Sequence, residues 1–256
     1  MKRRIRTTFA EIIEKLGPRK PAQLFEKETV LIVGEGEQTE PNYFFGVRDD
    51  PAVNARFALT VKRGAGGEPT QIVEVAVKEK LRADERGESY DHAFCLIDVE
   101  GPGRIAMMPP AIALAEQNGV ELIFSNPSFE CWYISHFERT CRAFRDGADV
   151  MTYLDRHWRR EFDEQYQKAD KTHYKKLNSR LATAVTNTTQ VREKDHEPGK
   201  HIIECNSATE VYKLLWMLRP NPLPPLPNPA TAAHNHPEGE STGDTAQAPG
   251  GVSGCR

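Results

Sequence analysis

The sequence contains no long apolar run and no recognisable export signal. Hydrophobic residues make up 38% of the chain, but they occur in runs of a few residues, far short of the roughly 20 that a membrane-spanning helix needs. The basic first residues are followed by Glu11, Glu14 and Lys15, where a signal peptide would have an apolar segment. We therefore expect a cytoplasmic protein that has no membrane partner.

Closely spaced cysteines and a general excess of basic charge are also missing. The five cysteines include no pair two to four residues apart, which argues against a zinc site and suits a reducing compartment. The formal net charge is -3, whereas general nucleic-acid binders usually carry a basic excess over at least one domain. A nucleic-acid substrate would therefore need a local basic patch.

Apolar segments rich in β-branched residues alternate with segments of helical periodicity. The predicted strands are residues 29–33, 57–61, 92–97 and 120–124. The predicted helices that follow them are residues 41–48, 69–82, 109–118 and 129–137. Such alternation implies parallel strands joined by right-handed crossovers. The sequence predicts an α/β fold with a mainly parallel central sheet flanked by helices.

Composition divides the chain into four parts. Residues 1–28 read as an N-terminal arm with a polar helix near residues 9–16, and residues 29–137 as the α/β core. Residues 138–219 are predicted to be mainly helical, with helices at 150–169, 172–186 and 208–218 that pack on the core; a small helical subdomain is the alternative. Residues 220–256, rich in proline and then in small polar residues, predict a disordered tail whose proline run could dock on a partner domain.

Acidic residues follow the first and third predicted strands. Glu35 comes just after the first strand, and Asp98 and Glu100 come just after the third. Ligands of open parallel sheets bind beyond the carboxyl ends of the strands, and positions i and i+2 of an extended chain point the same way. Magnesium prefers carboxylate oxygens, so these residues predict one divalent-metal site. The alternative is that they are ordinary solvated acids, which Glu37 and Glu40 at a helix N-terminus could equally be.

Several ordered motifs resemble those of the RloB-like family, whose members lie beside restriction and phage-defence loci. The first motif is Gly34-Glu35-Gly36-Glu37-Gln38-Thr39-Glu40, at the end of the first predicted strand. The others, in chain order, are Lys62-Arg63-Gly64-Ala65-Gly66-Gly67, Asn126-Pro127-Ser128-Phe129-Glu130-Cys131-Trp132 and Asn206-Ser207-Ala208-Thr209-Glu210-Val211. The resemblance covers about residues 26–218.

The resemblance implies a fold and an activity. RloB-like proteins are similar to Toprim domains, which catalyse metal-dependent phosphotransfer. By position, Glu35 would be the general acid/base or lie next to the metal, and Asp98 and Glu100 would bind Mg²⁺ or Mn²⁺. This sequence has Glu100 where aspartate is usual, and it continues with Gly101-Pro102-Gly103.

Further residues are candidates for substrate contacts. Glu130 follows the fourth strand and lies close to the same edge, so we expect it to assist catalysis. The loop containing Arg63, Gly64, Gly66 and Gly67 precedes a helix and could bind phosphate through backbone N–H groups, or be a plain flexible turn. Asn126 could orient a ligand, although Asn-Pro also initiates turns.

The helical region contains many cations interleaved with aromatic residues, among them Lys168 and Lys171. This mixture is typical of phosphate and base contacts, but the acids between them also suit a solvated, ion-paired helix. Our leading hypothesis is a magnesium-dependent nuclease of bacterial antiviral defence. The alternatives are a non-catalytic sensor that signals to a partner ATPase, and an enzyme acting on a small phosphorylated compound. DNA, RNA and tRNA all stay open as substrates, and so does self-association.

Overall fold

The computed structural model describes residues 26–64, 66–195, 199–219 and 223. The predicted helix at residues 9–16 lies outside them, as does all of the predicted tail except Leu223. Leu223 is buried against the larger of two hydrophobic clusters, so this residue belongs to the fold.

The central sheet has five strands in the order β2-β1-β3-β4-β5. In chain order they are β1 (Glu28–Val33), β2 (Phe57–Lys62), β3 (His92–Asp98), β4 (Glu121–Asn126) and β5 (Ala208–Thr209). The first four pair in parallel, and β5 pairs antiparallel with β4. The predicted α/β class, the mainly parallel sheet and its four main strands are confirmed.

Helices connect the strands and cover both faces of the sheet. The α-helices between β1 and β4 are α1 (Thr39–Arg48), α2 (Pro51–Asn54), α3 (Pro69–Glu85), α4 (Pro102–Ile105) and α5 (Met108–Gln117). Those after β4 are α6 (Glu130–Ser135), α7 (Gly147–Phe162), α8 (His173–Leu177), α9 (Leu181–Gln190) and α10 (Val211–Leu218). Short 3₁₀ segments lie at Asn178–Arg180 and Ile202–Glu204, and a π-helical turn at Val191–Asp195.

The centre of the sheet is buried on both faces. Residues Val30 to Val33 of β1 have no exposed surface, as expected for a parallel strand covered by helices on both sides. The larger hydrophobic cluster lies on one face and includes Tyr43, Trp132 and Trp158. The smaller one, on the other face, includes Ile72. Because neighbouring strands run the same way, the carboxyl ends of β1 to β4 all lie at one edge of the sheet.

Two predicted helices in the C-terminal region are shorter than expected. The helix predicted over residues 150–169 ends at Phe162, because Asp163 adopts the left-handed conformation with φ 55°. The chain then folds back, and Glu164 accepts a hydrogen bond from Trp158 Nε1 at 3.1 Å. The helix predicted over residues 172–186 is interrupted by the 3₁₀ turn at Asn178–Arg180. The loop after α7 thereby becomes free to reach the sheet edge.

The first two residues of the last predicted helix form a strand instead. Residues Ala208–Thr209 pair with Ser125 and Asn126 of β4, and the helix starts at Val211. The side chain of Asn206 exchanges hydrogen bonds with the backbone of Phe144 at 2.7 and 2.9 Å, which holds the segment extended beside β4. These partners are distant in sequence, so local helical periodicity could not reveal the strand.

No helix within the part of the chain that the structure describes is both long enough and apolar enough to cross a membrane.

Candidate metal and phosphate site

Three predicted site residues meet at the carboxyl edge of the sheet. Glu35 follows β1, Asp98 is the last residue of β3, and Glu130 begins α6 after β4. The backbone N–H of Asp98 donates to Glu35 Oε2 at 3.0 Å. The parallel strand order, with β3 between β1 and β4, therefore brings these three carboxylates to one location.

Arg104 holds Glu35 in place, and the sequence motifs did not indicate it. Its guanidinium donates Nη2 to Glu35 Oε1 at 2.5 Å, Nε to the Asp98 carbonyl at 2.8 Å and Nη1 to the Gly67 carbonyl at 3.1 Å. One side chain of α4 thus joins the segments after β1, β2 and β3. The planar fork of arginine suits three acceptors in fixed directions, which a lysine ammonium could not match.

Burial raises the pKa of Glu35 to about 7. The hydrogen bond from Asp98 N and the charge of Arg104 oppose this rise, while repulsion by Glu40 and Glu100 adds to it. The loss of hydration contributes most to the raised pKa, because one guanidinium only partly replaces the water that the carboxylate loses. Glu35 consequently changes protonation state close to neutral pH.

Asp98 lies at the centre of the acidic cluster. Burial raises its pKa well above the ordinary value. Repulsion adds to the rise, and it comes from the carboxylates of Glu40, Glu35, Glu130 and Glu100. Within the described residues, the hydrogen bonds of Asp98 run through its backbone N–H and C=O. Its carboxylate therefore combines a high electrostatic cost with the lack of a side-chain hydrogen bond to any described residue.

Glu40 belongs to the cluster as well, although the sequence left it open as an ordinary solvated acid. Its side chain is only 4% exposed, and it folds back to accept a long hydrogen bond from Gly36 N at 3.4 Å. Burial raises the pKa of Glu40, and the neighbouring Glu130 raises it further. Burying an acid without a full ion pair costs free energy, whereas a solvated charge at a helix terminus does not. Glu40 is therefore not an ordinary solvated acid.

Glu130 is the most enclosed of these acids, at 1% exposure. Its carboxylate accepts hydrogen bonds from three hydroxyl groups: Ser128 at 2.8 Å, Tyr166 at 3.3 Å and Thr39 at 3.4 Å. Tyr166 comes from the loop that follows α7. The predicted position of Glu130 at the active edge is thus observed, and donors from three segments fix its orientation.

The same loop places Lys168 over the acids. Its Nζ lies 3.6 Å from Glu130 Oε1, while half of the side chain stays exposed. Desolvation lowers the pKa of Lys168, but attraction by Glu130, Asp98 and Glu40 outweighs it, so the net pKa is raised. Lys171 is exposed, and no described contact joins it to the cluster. Of the two predicted lysines, the structure therefore places Lys168 at the site.

Glu100 does not take the extended position that the sequence argument required. β3 ends at Asp98, and Glu100 has a left-handed backbone with φ 49°. Its N–H donates to the Pro127 carbonyl at 3.0 Å, and the residue is exposed. The i, i+2 relation with Asp98 is therefore broken by a turn. Glu100 stays close enough to repel Glu35 and Asp98, but it lies on the exposed side of the cluster.

The glycine-rich loop packs against the loop that contains Glu35, a structural role that the sequence did not predict. Gly64 N donates to the Gly36 carbonyl at 3.2 Å, and Gly66 N donates to the Glu35 carbonyl at 3.0 Å. These two amides are thus committed to the neighbouring loop in the described structure, and phosphate binding by the loop stays a prediction. Gly67 instead supplies its carbonyl to Arg104. The loop positions Glu35 by backbone packing.

Asn126 likewise has a structural role. It is buried, and its Nδ2 donates to the Ile203 carbonyl at 2.8 Å and more weakly to that of Ile202. Its amide therefore points to the 3₁₀ turn beside β5, and the predicted ligand-orienting role is not supported by these contacts.

The donors present suit a hard divalent cation, but they are not preassembled around one. Carboxylate oxygens are the ligands that Mg²⁺ and Mn²⁺ prefer. Five carboxylates lie near one another here, accompanied within the described residues by the cations Arg104 and Lys168. Yet no group of three or more His, Cys, Asp or Glu among the described residues is arranged to hold a metal ion. The residue types fit the cation, but their arrangement in this structure does not form its ligand set.

The metal-free protein should lose stability as pH rises through the range in which Glu35 ionises. Its pKa is about 7 when folded and 4.5 ordinarily, so between these values the folded state holds a proton that the unfolded state releases. Stability therefore falls from about pH 4.5 to 7, by no more than about 3 kcal/mol from this residue. Thermal unfolding in chelator should show a shallower pH dependence for Glu35→Gln than for the unmodified protein. Identical slopes would contradict the assignment, and Glu121→Gln, at the opposite sheet edge, is the matched control.

Comparison with known proteins agrees with the motifs. Residues 30–218 match the family model described as RloB-like protein. No curated protein and no solved structure matches the chain.

Proposed function

The chain belongs to the RloB-like family, and from that premise we propose that its acidic cluster supports metal-dependent cleavage of nucleic-acid phosphodiester bonds in bacterial defence against phage. One observation carries the proposal: at the carboxyl edge of the sheet, four further carboxylates lie near enough to Asp98 to repel it and raise its pKa. Such clustering is costly unless a cation or protons offset it. The Toprim-like relationship is part of the same proposal, because a glutamate follows β1 and an acidic pair follows β3.

Asp98 and Glu100 would hold Mg²⁺ or Mn²⁺ with Glu35 next to the ion, and Glu130 and Glu40 would add negative charge to the cluster. When bound, such an ion polarises a phosphate and lowers the pKa of a coordinated water. Asp98 suits the central position, because it ends β3 and its backbone is fixed by Glu35 and Arg104. Serine, tyrosine and threonine hydroxyls keep the Glu130 carboxylate in place within the cluster.

Glu35 suits the proton-transfer role. A general acid/base works best when its pKa lies near the working pH, and burial brings the pKa of Glu35 to about 7. Arg104 fixes the carboxylate while leaving it partly reachable, with 12% of the side chain exposed. The exposed half of Lys168 could bind a phosphate oxygen of the substrate next to these acids.

Purified protein should cleave labelled nucleic acid only with Mg²⁺ or Mn²⁺, and chelator should stop it. The panel would contain plasmid DNA, single-stranded DNA and total tRNA, so that the cleaved class is identified. Glu130→Gln keeps the shape of the side chain but removes its charge beside Lys168, and we expect roughly a 10-fold lower rate. Glu121→Gln should cleave at the unmodified rate. Metal-independent cleavage, or full activity of Glu130→Gln, would count against the proposal.

A non-catalytic sensor of a nucleotide or metal, signalling to a partner ATPase, is the second candidate. Two observations favour it: the described acids are not arranged as a ready metal site, and Glu100 lies on the exposed side of the cluster. A sensor would bind its ligand and leave it chemically unchanged. Saturable metal binding with no cleavage of any nucleic acid by folded protein would select this candidate.

A further inference from the structure

The exposed side chain of Arg63, near the acidic cluster, makes more contacts than a surface arginine usually does. Arg63 donates Nη2 to Asn42 Oδ1 at 2.9 Å and Nη1 to the Glu37 carbonyl. Its Cζ also lies 5.0 Å from the centre of the Phe45 ring. Three contacts therefore fix a flat guanidinium that remains open to solvent, and the entropy of ordering it is already lost before any ligand binds.

The aromatic ring beneath Arg63 belongs to a larger stack. Phe45 is half-buried on α1, and the guanidinium of Arg48 also lies 5.0 Å from its centre. Arg48 pairs with Asp49 at 2.9 Å, with both side chains largely exposed. Surface pairs and exposed cation–π contacts contribute little to stability, so the fold alone gives weak reason for this Arg–Phe–Arg arrangement.

Asn42 connects Arg63 to the loop that contacts the acidic cluster. Its Oδ1 accepts from Arg63, while its Nδ2 donates to the Ala169 carbonyl at 3.2 Å. Ala169 is next to Lys168, whose ammonium lies over Glu130. The buried amide of Asn42 therefore joins Arg63 to the segment that contains Lys168, and Lys168 contacts the buried acid Glu130.

We propose that the Arg63–Phe45 stack is a base-stacking subsite, and that the substrate of the proposed nuclease is a single-stranded nucleic acid. This inference rests on the proposed function and specifies its substrate class. Unpaired bases stack on guanidinium planes and aromatic rings, whereas the bases of a duplex are already stacked on one another. Asp98, the central residue of the proposed metal site, is only partly exposed, and a flexible single strand can bring a phosphate to an ion held there more easily than a stiff duplex can.

Binding measured without cleavage tests the subsite. Fluorescence anisotropy in chelator would compare labelled single-stranded DNA, single-stranded RNA, the matching duplexes and a single strand in which abasic positions replace several bases. We expect single strands to bind at least about 10-fold more tightly than duplexes, and removal of the bases to abolish this preference. The DNA and RNA arms show which of the two sugars is accepted.

Substitutions should separate stacking from charge. Arg63→Lys keeps the charge but not the plane, and Phe45→Leu keeps the buried apolar volume but not the ring; each should weaken single-strand binding about 5- to 10-fold. Arg86→Gln removes an exposed cation at the far end of α3 and should change nothing. Equal binding of single strand and duplex, equal binding of the abasic strand, or unchanged binding by Arg63→Lys would overturn the subsite.

The inference and the proposed nuclease activity can fail separately. Selective, base-dependent binding of single strands without any metal-dependent cleavage would support the subsite and remove the nuclease. Metal-dependent cleavage combined with equal binding of single strand, duplex and abasic strand would support the nuclease and remove the subsite.

Discussion

Asp98→Asn is expected to lower metal-dependent cleavage about 100-fold or more and, at the same time, to stabilise the metal-free protein. A metal ion contributes several kcal/mol to the stability of the transition state, and each 1.36 kcal/mol is a factor of about ten in rate. Asparagine retains the shape of Asp98 but cannot offer the ion a charged ligand. Without the charge of this central residue, the remaining carboxylates should hold the ion too weakly for cleavage.

Stability should move in the opposite direction, because the folded protein keeps Asp98 among Glu35, Glu40, Glu100 and Glu130. At pH 8, in chelator, the asparagine removes a carboxyl group that is unfavourable among these acids whether it ionises or keeps its proton, and we expect about 1–2 kcal/mol of stabilisation, which is a rise of roughly 2–8 °C in Tm. Added Mg²⁺ should raise the Tm of the unmodified protein more than that of the variant. Glu121→Gln, an exposed acid at the opposite edge, should alter neither quantity.

A variant that cleaves at the unmodified rate would remove Asp98 from the mechanism. One that is inactive but less stable than the unmodified protein would show instead that Asp98 has a structural role. The combined measurement of rate and Tm therefore separates a functional acid from a structural one.

Gly64→Ala is expected to destabilise the protein and displace Glu35. A Cβ at this position would overlap the carbonyl oxygens of Gly34 and Glu35 and lie 2.7 Å from Glu35 C. These are backbone atoms, which cannot rotate away as a side chain could, so the two loops must separate. Overpacking of this kind costs roughly 2–4 kcal/mol, equivalent to a fall in Tm of about 4–16 °C.

The separation should also weaken the contacts that hold Glu35, since Gly64 N and Gly66 N both donate to its loop. We expect cleavage to fall together with Tm. Gly103→Ala is the matched control, because a Cβ there would meet nothing within 4 Å, and it should shift Tm by no more than about 1–2 °C. A Gly64→Ala protein as stable as the Gly103→Ala protein would contradict the described packing of the two loops.

Local sequence signals predicted most of the regular elements. The apolar run at residues 29–33 predicted β1 to within one residue, because a strand buried on both faces must be apolar throughout. The start of α3 at Pro69 was also predictable: proline occupies the first turn, and Glu68 with Gln71 forms a capping box. Both signals lie within a few residues of the element that they define.

Elements that depend on distant partners were missed or displaced. β5 exists because Ala208 and Thr209 pair with the end of β4 and Asn206 binds the backbone of Phe144. The early end of α7 depends on the loop that folds back to Trp158. Periodicity over 10 to 20 residues contains no information about such contacts.

The residues of the candidate site likewise fall into those that local sequence predicts and those that depend on distant contacts. Glu35, Asp98 and Glu130 were predictable, because each follows a strand and parallel strands end at one edge. Arg104 was not, since its hydrogen bonds connect three loops from a short helix whose sequence resembles any exposed turn. Tyr166 and Lys168 lie far along the chain from the acids that they contact; their only sequence signal was the mixture of aromatic and basic residues in that region.

The sequence by itself thus determined the order of the strands and helices along the chain, the acidic residues at the strand ends and the family to which the motifs point, because these follow from local periodicity and residue type. Only the tertiary structure decided which charges meet. Burial, not residue type, raises the pKa of Glu35 to about 7 and turns Glu40 from a solvated acid into a member of the cluster. A turn at Glu100 and Gly101, which both have positive φ, leaves Glu100 exposed. The physical reason is that electrostatic energies depend on distance and solvent exposure, and both are set by contacts between segments far apart in the chain.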